Sequence, residues 1–169
     1  VTPDHAEPHA ISLPTAASTQ DLGRRLAGLL RAGDLLLLTG DLGAGKTTLT
    51  QGLAEGLGVR GPITSPTFVI ARVHPSLVGG PRLVHVDAYR LSGALDFDDL
   101  DLDATVDESV TVVEWGHGVA ELLSEDYLEL ELTGETTRTA RLTGHGQRWA
   151  GPDVLAAVRD LAGPTRGMG

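Results

Sequence analysis

The residues best equipped for chemistry lie in one run, Leu38-Thr39-Gly40-Asp41-Leu42-Gly43-Ala44-Gly45-Lys46-Thr47-Thr48. The run matches G-x-x-x-x-G-K-[ST] at Gly40, Gly45, Lys46 and Thr47. Glycines at such spacing let backbone N–H groups turn inward and approach an anion without a clashing Cβ. A helix starting directly afterwards presents its unpaired N–H groups and the positive end of its dipole to the same anion. In this arrangement Lys46 neutralises β- and γ-phosphate charge, and the Thr47 hydroxyl is placed to bind magnesium. The pattern points to a cradle for a magnesium-bound nucleoside triphosphate, first of all ATP. The contacts come from Asp41, Leu42, Gly43, Ala44, Gly45, Lys46, Thr47 and Thr48. The bland alternative is a Gly-rich loop that merely turns a strand into a helix.

Two features of composition argue against that alternative. Lys46 is the only lysine, set against twelve arginines. A compact ammonium fits between phosphates where a broad planar guanidinium does not, so the single retained lysine stands where its shape matters. The chain also lacks asparagine. That excludes the Asn-Lys-x-Asp guanine-reading motif and disfavours a typical GTPase.

A phosphate cradle needs a carboxylate at the end of a neighbouring strand to hold magnesium or its waters. Val110-Thr111-Val112-Val113 ends in Glu114, and Leu83-Val84-His85-Val86 ends in Asp87. Ligands of open α/β sheets sit at the carboxyl ends of strands, which brings both acids toward the phosphates. Which of them orients the attacking water stays open. Ser65-Pro66-Thr67 has the place of a loop sensing the γ-phosphate, or of a simple Pro turn. His85 shares a strand face with Asp87. A hydrogen-bonded structural histidine is favoured there over a proton-transfer group. Arg90 is a candidate charge partner and Trp115 a packing residue or partner anchor. Asp99, Asp101 and Asp103 imitate a calcium loop. That reading fails because Ala104 and Val110 stand where glycine and glutamate belong. The acidic stretch from Asp96 to Glu108 reads as solvated surface.

The elements that must position these groups follow from periodicity and turn signals. Ile11 to Pro14 reads as a strand. Ser18 or Thr19 caps a helix running to about Arg31, with Leu22, Leu26, Leu29 and Leu30 on one face. Asp34 to Thr39, with four consecutive leucines, suits a strand buried on both faces. Lys46 to Leu57 is helical and ends at Gly58. Strands are expected at Phe68 to Val73, Leu83 to Asp87 and Val110 to Glu114. Short helical pieces are expected at Leu95 to Leu102 and Val119 to Leu123. Tyr127 to Thr133 and Thr137 to Thr143 alternate polar and apolar residues, which predicts an antiparallel C-terminal hairpin. Pro152 to Leu161 reads as a closing helix. The fold class is α/β, a mainly parallel mixed sheet flanked by helices. One domain over residues 11–162 is expected, between loose segments 1–10 and 163–169.

Bulk properties narrow the function. Of 169 residues, 41 % are hydrophobic and only 4 % aromatic, so Leu, Val and Ala must fill the core. Without cysteine there is no disulfide, zinc thiolate or thiol catalysis. No apolar run spans a membrane, and Val1 to Ala10 does not resemble a secretion signal. A cytoplasmic protein is expected. A net charge of −10 repels polyanions. A role near RNA would therefore run through a partner.

Four motifs in order carry a resemblance over roughly residues 11–160. They are the cradle run Gly40 to Thr48, Ser65-Pro66-Thr67-Phe68, His85-Val86-Asp87-Ala88-Tyr89-Arg90-Leu91, and Val113-Glu114-Trp115. Together they resemble the TsaE (formerly YjeE) family, bacterial ATPases of tRNA threonylcarbamoyladenosine biosynthesis. The resemblance implies a P-loop NTPase fold, ATP and Mg²⁺ as cofactors, and work with the TsaB–TsaD pair. That pair modifies adenosine 37 of tRNAs reading codons that start with A, so tRNA would be met only through the complex. Slow hydrolysis alone and stimulation by partners are further implications. Carried over by position, Thr47 and Glu114 would hold magnesium, and Asp87 would lie near the γ-phosphate or its attacking water. Lys46, Asp87 and Glu114 would form the catalytic set. Thr67 would sit in a switch-like loop, and Thr15 and Arg138 would reach the nucleotide. Gly116, where the family often has proline, and the acidity of residues 93–107 depart from the pattern. Two other classes compete: a small-molecule kinase, for which no Arg-rich lid is visible, and a nucleotide-gated binding module.

Overall fold

The computed structural model describes residues 9–40, 43, 45–61, 63, 71–87, 107–114 and 124–161. In these, seven strands form one sheet: β1 (His9–Leu13), β2 (Leu35–Gly40), β3 (Ala71–His74), β4 (Arg82–Asp87), β5 (Ser109–Glu114), β6 (Tyr127–Thr133) and β7 (Arg138–His145). The described helices are α1 (Ala16–Ala27), α2 (Lys46–Leu57) and α3 (Pro152–Leu161), with a 3₁₀ turn at Gln147–Trp149.

The spatial order is β1-β7-β6-β2-β5-β4-β3. β6, β2, β5 and β4 are mutually parallel at the centre. The β1–β7, β6–β7 and β3–β4 pairs are antiparallel. Only β3 and β7 therefore run against the common direction, as expected of a mainly parallel mixed sheet. The β6–β7 hairpin falls where alternation placed it.

Leu35 to Leu38 have no exposed surface, because β2 is central and covered on both faces. Alternate side chains of a strand point to opposite faces. Leu36 and Leu38 accordingly join Val110, Val112, Leu128 and Leu130 in one core with Leu22 and Leu26 of α1, Leu49 and Leu53 of α2, and Val158 of α3. Each fully buried leucine contributes about 2 kcal/mol.

Two local readings are corrected. The cap of α1 is Thr15, not Ser18 or Thr19. Pro14 ends the incoming chain, the Thr15 hydroxyl accepts from the Ser18 amide at 3.1 Å, and Ser18 Oγ accepts from the Thr15 amide at 3.0 Å. The same helix stops at Ala27, short of Arg31, with Gly28 as its C-cap. The described part of the next strand is Ala71–His74, at the sheet edge. Residues 68–70 of the expected Phe68 to Val73 strand lie outside the described residues, as do the expected helices at 95–102 and 119–123.

α1 and α2 pack at backbone distance. A Cβ on Gly23 would collide with the Leu49 carbonyl, and one on Gly52 with the Gln20 carbonyl. This contact sets how α2 sits on the sheet, and so where its N-terminus, the floor of the cradle, is held.

Candidate nucleotide site

β2 ends at Gly40 and α2 begins at Lys46, so the Gly-rich run is the connection between a buried strand and a helix N-terminus. Gly40, Gly43 and Gly45 have φ of 149°, 80° and 103°. Gly45 is the N-cap of α2 in the left-handed region, with no side chain capping the helix. The positive end of the α2 dipole thus faces the Gly-rich loop, as an anion site requires. A Cβ on Gly43 would meet nothing within 4 Å.

Lys46 is buried (7 % exposed), and its Nζ donates to the Gly40 carbonyl at 2.7 Å. The ammonium is folded back across the base of the loop. Thr47 and Thr48 are partly buried in the first turn of α2. Arg138, at the start of β7, reaches the loop from a distant part of the sequence. Its Nη2 donates to the Gly43 carbonyl at 2.7 Å, and its Cδ lies 3.3 Å from where a Gly45 Cβ would stand. Thr15 is exposed and engaged in its cap. One turn along α1, the Thr19 methyl lies 3.6 Å from the same Gly45 position, so the start of α1 flanks the loop.

The two strand-end acids meet in register. Asp87 pairs across the β4–β5 ladder with Glu114, and Glu114 pairs with Leu38, two residues before Gly40. Both stand at the carboxyl edge of the sheet, where the loop departs. Asp87 is partly exposed, while Glu114 is 5 % exposed. His85 is fully buried, and its Nε2 lies 2.6 Å from Glu114 Oε2. Sequence spacing showed that His85 shares a face with Asp87, but not that its partner would be the acid on the neighbouring strand. That required the register.

The donor set is a hydroxyl and carboxylates, all hard oxygens, which suits Mg²⁺ rather than a soft metal. The positive-φ glycines and the uncapped N-terminus of α2 suit a phosphate. Asp41, Leu42, Ala44 and Thr67 lie outside the described residues.

The sequence profile of the family described as "Threonylcarbamoyl adenosine biosynthesis protein TsaE" matches residues 13–142. The chain belongs to the TsaE family. Among TsaE relatives, the protein named "tRNA threonylcarbamoyladenosine biosynthesis protein TsaE" in Streptomyces coelicolor is 64 % identical over 142 residues, covering 80 % of this chain and 96 % of its own. The protein of the same name in Mycobacterium tuberculosis is 51 % identical over 128 residues, covering 72 % and 76 %. That in Bacillus subtilis is 37 % identical over 134 residues, covering 78 % and 82 %. The crystal structure of Bacillus subtilis YdiB matches with a TM-score of 0.67 at 30 % identity, over 92 % of this chain and 94 % of that one. The fold of this TsaE-family chain is that of a P-loop NTPase. No helix among the described residues is long and apolar enough to cross a membrane.

Proposed function

We propose that this chain is a Mg²⁺-dependent ATPase of tRNA threonylcarbamoyladenosine biosynthesis. It works in the cytoplasm with TsaB and TsaD, is slow alone and is stimulated by them. It does not itself transfer the threonylcarbamoyl group, and it meets tRNA only through the complex. The observation that carries the reading is the lone lysine, buried at the floor of a positive-φ glycine loop at an uncapped helix N-terminus. Family membership supplies the pathway.

Lys46 exchanges its Gly40 carbonyl for β- and γ-phosphate oxygens. The amides of the loop and of the first turn of α2 bind the rest of the chain of phosphates. Arg138, already on the loop, closes its side nearest β7. Thr47 and Glu114 hold magnesium, which when bound neutralises charge developing on the transferred phosphoryl group. Asp87 or Glu114 orients the attacking water. Thr67 serves in the switch-like loop, and Thr15 stands toward the base.

The test is phosphate release from ATP with Mg²⁺, with and without TsaB and TsaD. Release that rises on adding the partners is expected, and Lys46→Ala should lower it at least about 100-fold, the scale of a lost charge-stabilising contact. Normal hydrolysis by Lys46→Ala would overturn the site. Phosphate delivered to a metabolite would make the chain a kinase. Tight ATP binding without release under any condition would make it a nucleotide-gated module.

A further inference from the structure

We propose that His85 is a positioning residue that fixes the Glu114 carboxylate for its magnesium role, an inference that rests on the ATPase reading above. A carboxylate only accepts hydrogen bonds, so at 2.6 Å His85 Nε2 carries the proton and donates to Glu114 Oε2. The other ring nitrogen, Nδ1, is buried and has no hydrogen-bond partner among the described residues.

Most buried polar atoms are hydrogen-bonded, so an orphaned one calls for an explanation. Packing does not supply it. Leu83, Val84 and Val86 of the same strand are apolar and buried, and a leucine at position 85 would leave no unpaired nitrogen. What the imidazole provides, and an apolar side chain cannot, is its single hydrogen bond. That bond goes to the buried carboxylate at the carboxyl end of β5. The register makes the reach possible. His85 pairs with Val112, so Glu114 is its diagonal neighbour on the same face. Asp87 stands directly opposite Glu114. A carboxylate held at Oε2 presents its other oxygen, Oε1, in one orientation.

The full chain is compared with His85→Leu and with His85→Gln, whose amide N–H has a similar reach. Three quantities are measured: ATP affinity without metal, Mn²⁺ binding in the presence of nucleotide by electron paramagnetic resonance, and partner-stimulated turnover. His85→Leu should keep metal-free ATP affinity within about twofold but need about tenfold more Mn²⁺ or Mg²⁺, with kcat falling more than KM rises. His85→Gln should restore most of the metal affinity. In a Glu114→Ala background, His85→Leu should add nothing further. Unchanged metal demand in His85→Leu, a His85→Gln variant as impaired as His85→Leu, or a fully additive double variant would each overturn the role. Thermal melting confirms that each variant folds. Should His85→Leu fail to fold, His85→Phe replaces it with the same outcomes. Wild-type protein that binds neither ATP nor Mn²⁺–ATP would overturn the ATPase reading itself, a result distinct from a defect confined to the His85 variants.

Discussion

Asp34 stands at the head of β2, 5 % exposed, and its two oxygens are fully employed. Oδ1 accepts from Arg148 Nε at 3.0 Å, and Oδ2 accepts from Arg148 Nη2 at 3.0 Å and from the Arg31 amide at 2.8 Å. The same guanidinium donates to the Leu29 carbonyl at 3.1 Å and lies over the Trp149 ring at 4.4 Å. This two-pronged pair ties the 3₁₀ turn after β7 to the loop before β2. Removing one member strands a largely buried charge. Asp34→Ala should therefore lose about 3 kcal/mol of stability in urea unfolding, the cost of breaking rather than replacing such a pair. Asp34 lies at the far end of a six-residue strand from Gly40. The distance is about 20 Å, so ATP affinity of the folded variant should stay at the wild-type value.

At the scale of elements, α1 and α2 act as a unit because two glycines let them approach. Gly52→Ala would gain about 1 kcal/mol of helix propensity in isolation. In the fold its Cβ meets the Gln20 carbonyl, which is backbone and cannot swing away. Net destabilisation of about 1–3 kcal/mol is expected. ATP affinity should weaken too, because α2 carries Lys46 and Thr47 at its other end. Gly28→Ala is the matched control. Its φ is −68°, and the added Cβ would come no closer than 3.4 Å to its neighbour, the Arg25 carbonyl. It should change stability by no more than about 0.5 kcal/mol. Thermal or urea melts of both variants, with ATP titrations, check the contrast.

For the whole molecule, pH dependence has a traceable contribution from the edge strand. His74 is buried, with Nδ1 3.1 Å from the Arg60 carbonyl. Burial pushes its pKa below the ordinary 6.5, opposed by the Arg60 carbonyl and assisted by the nearby His85 and Arg72. The unfolded chain therefore takes up this proton first as pH falls. The stability associated with neutral His74 is intact above about pH 6.5 and declines as pH drops from there through the lower folded value. One such group contributes a slope of at most about 1.4 kcal/mol per pH unit. Urea midpoints of wild type should fall more steeply below pH 6.5 than those of His74→Phe, and parallel curves would remove His74 as the cause.

Much of this fold is legible in one dimension because its signals are local. Four leucines in a row declare a central strand, Gly-x-x-x-x-Gly-Lys-Thr declares a phosphate loop, and alternation from Tyr127 to Thr143 declares a hairpin. Each depends on neighbours within a few residues, so strand, loop and hairpin could be read before any contact was known. Thr15, Ser18 and Thr19 are all competent to cap α1, and the cap falls at Thr15, three residues before Ser18 and four before Thr19. The reciprocal bonds between Thr15 and Ser18 in the folded chain mark the choice. The pairing of His85 with Glu114, the reach of Arg138 to Gly43 and the clamp of Arg148 on Asp34 join residues 29, 95 and 114 positions apart. No local propensity encodes such distances. They arise when strand register and helix packing bring separate segments to one place, and that arrangement is a property of the folded sheet.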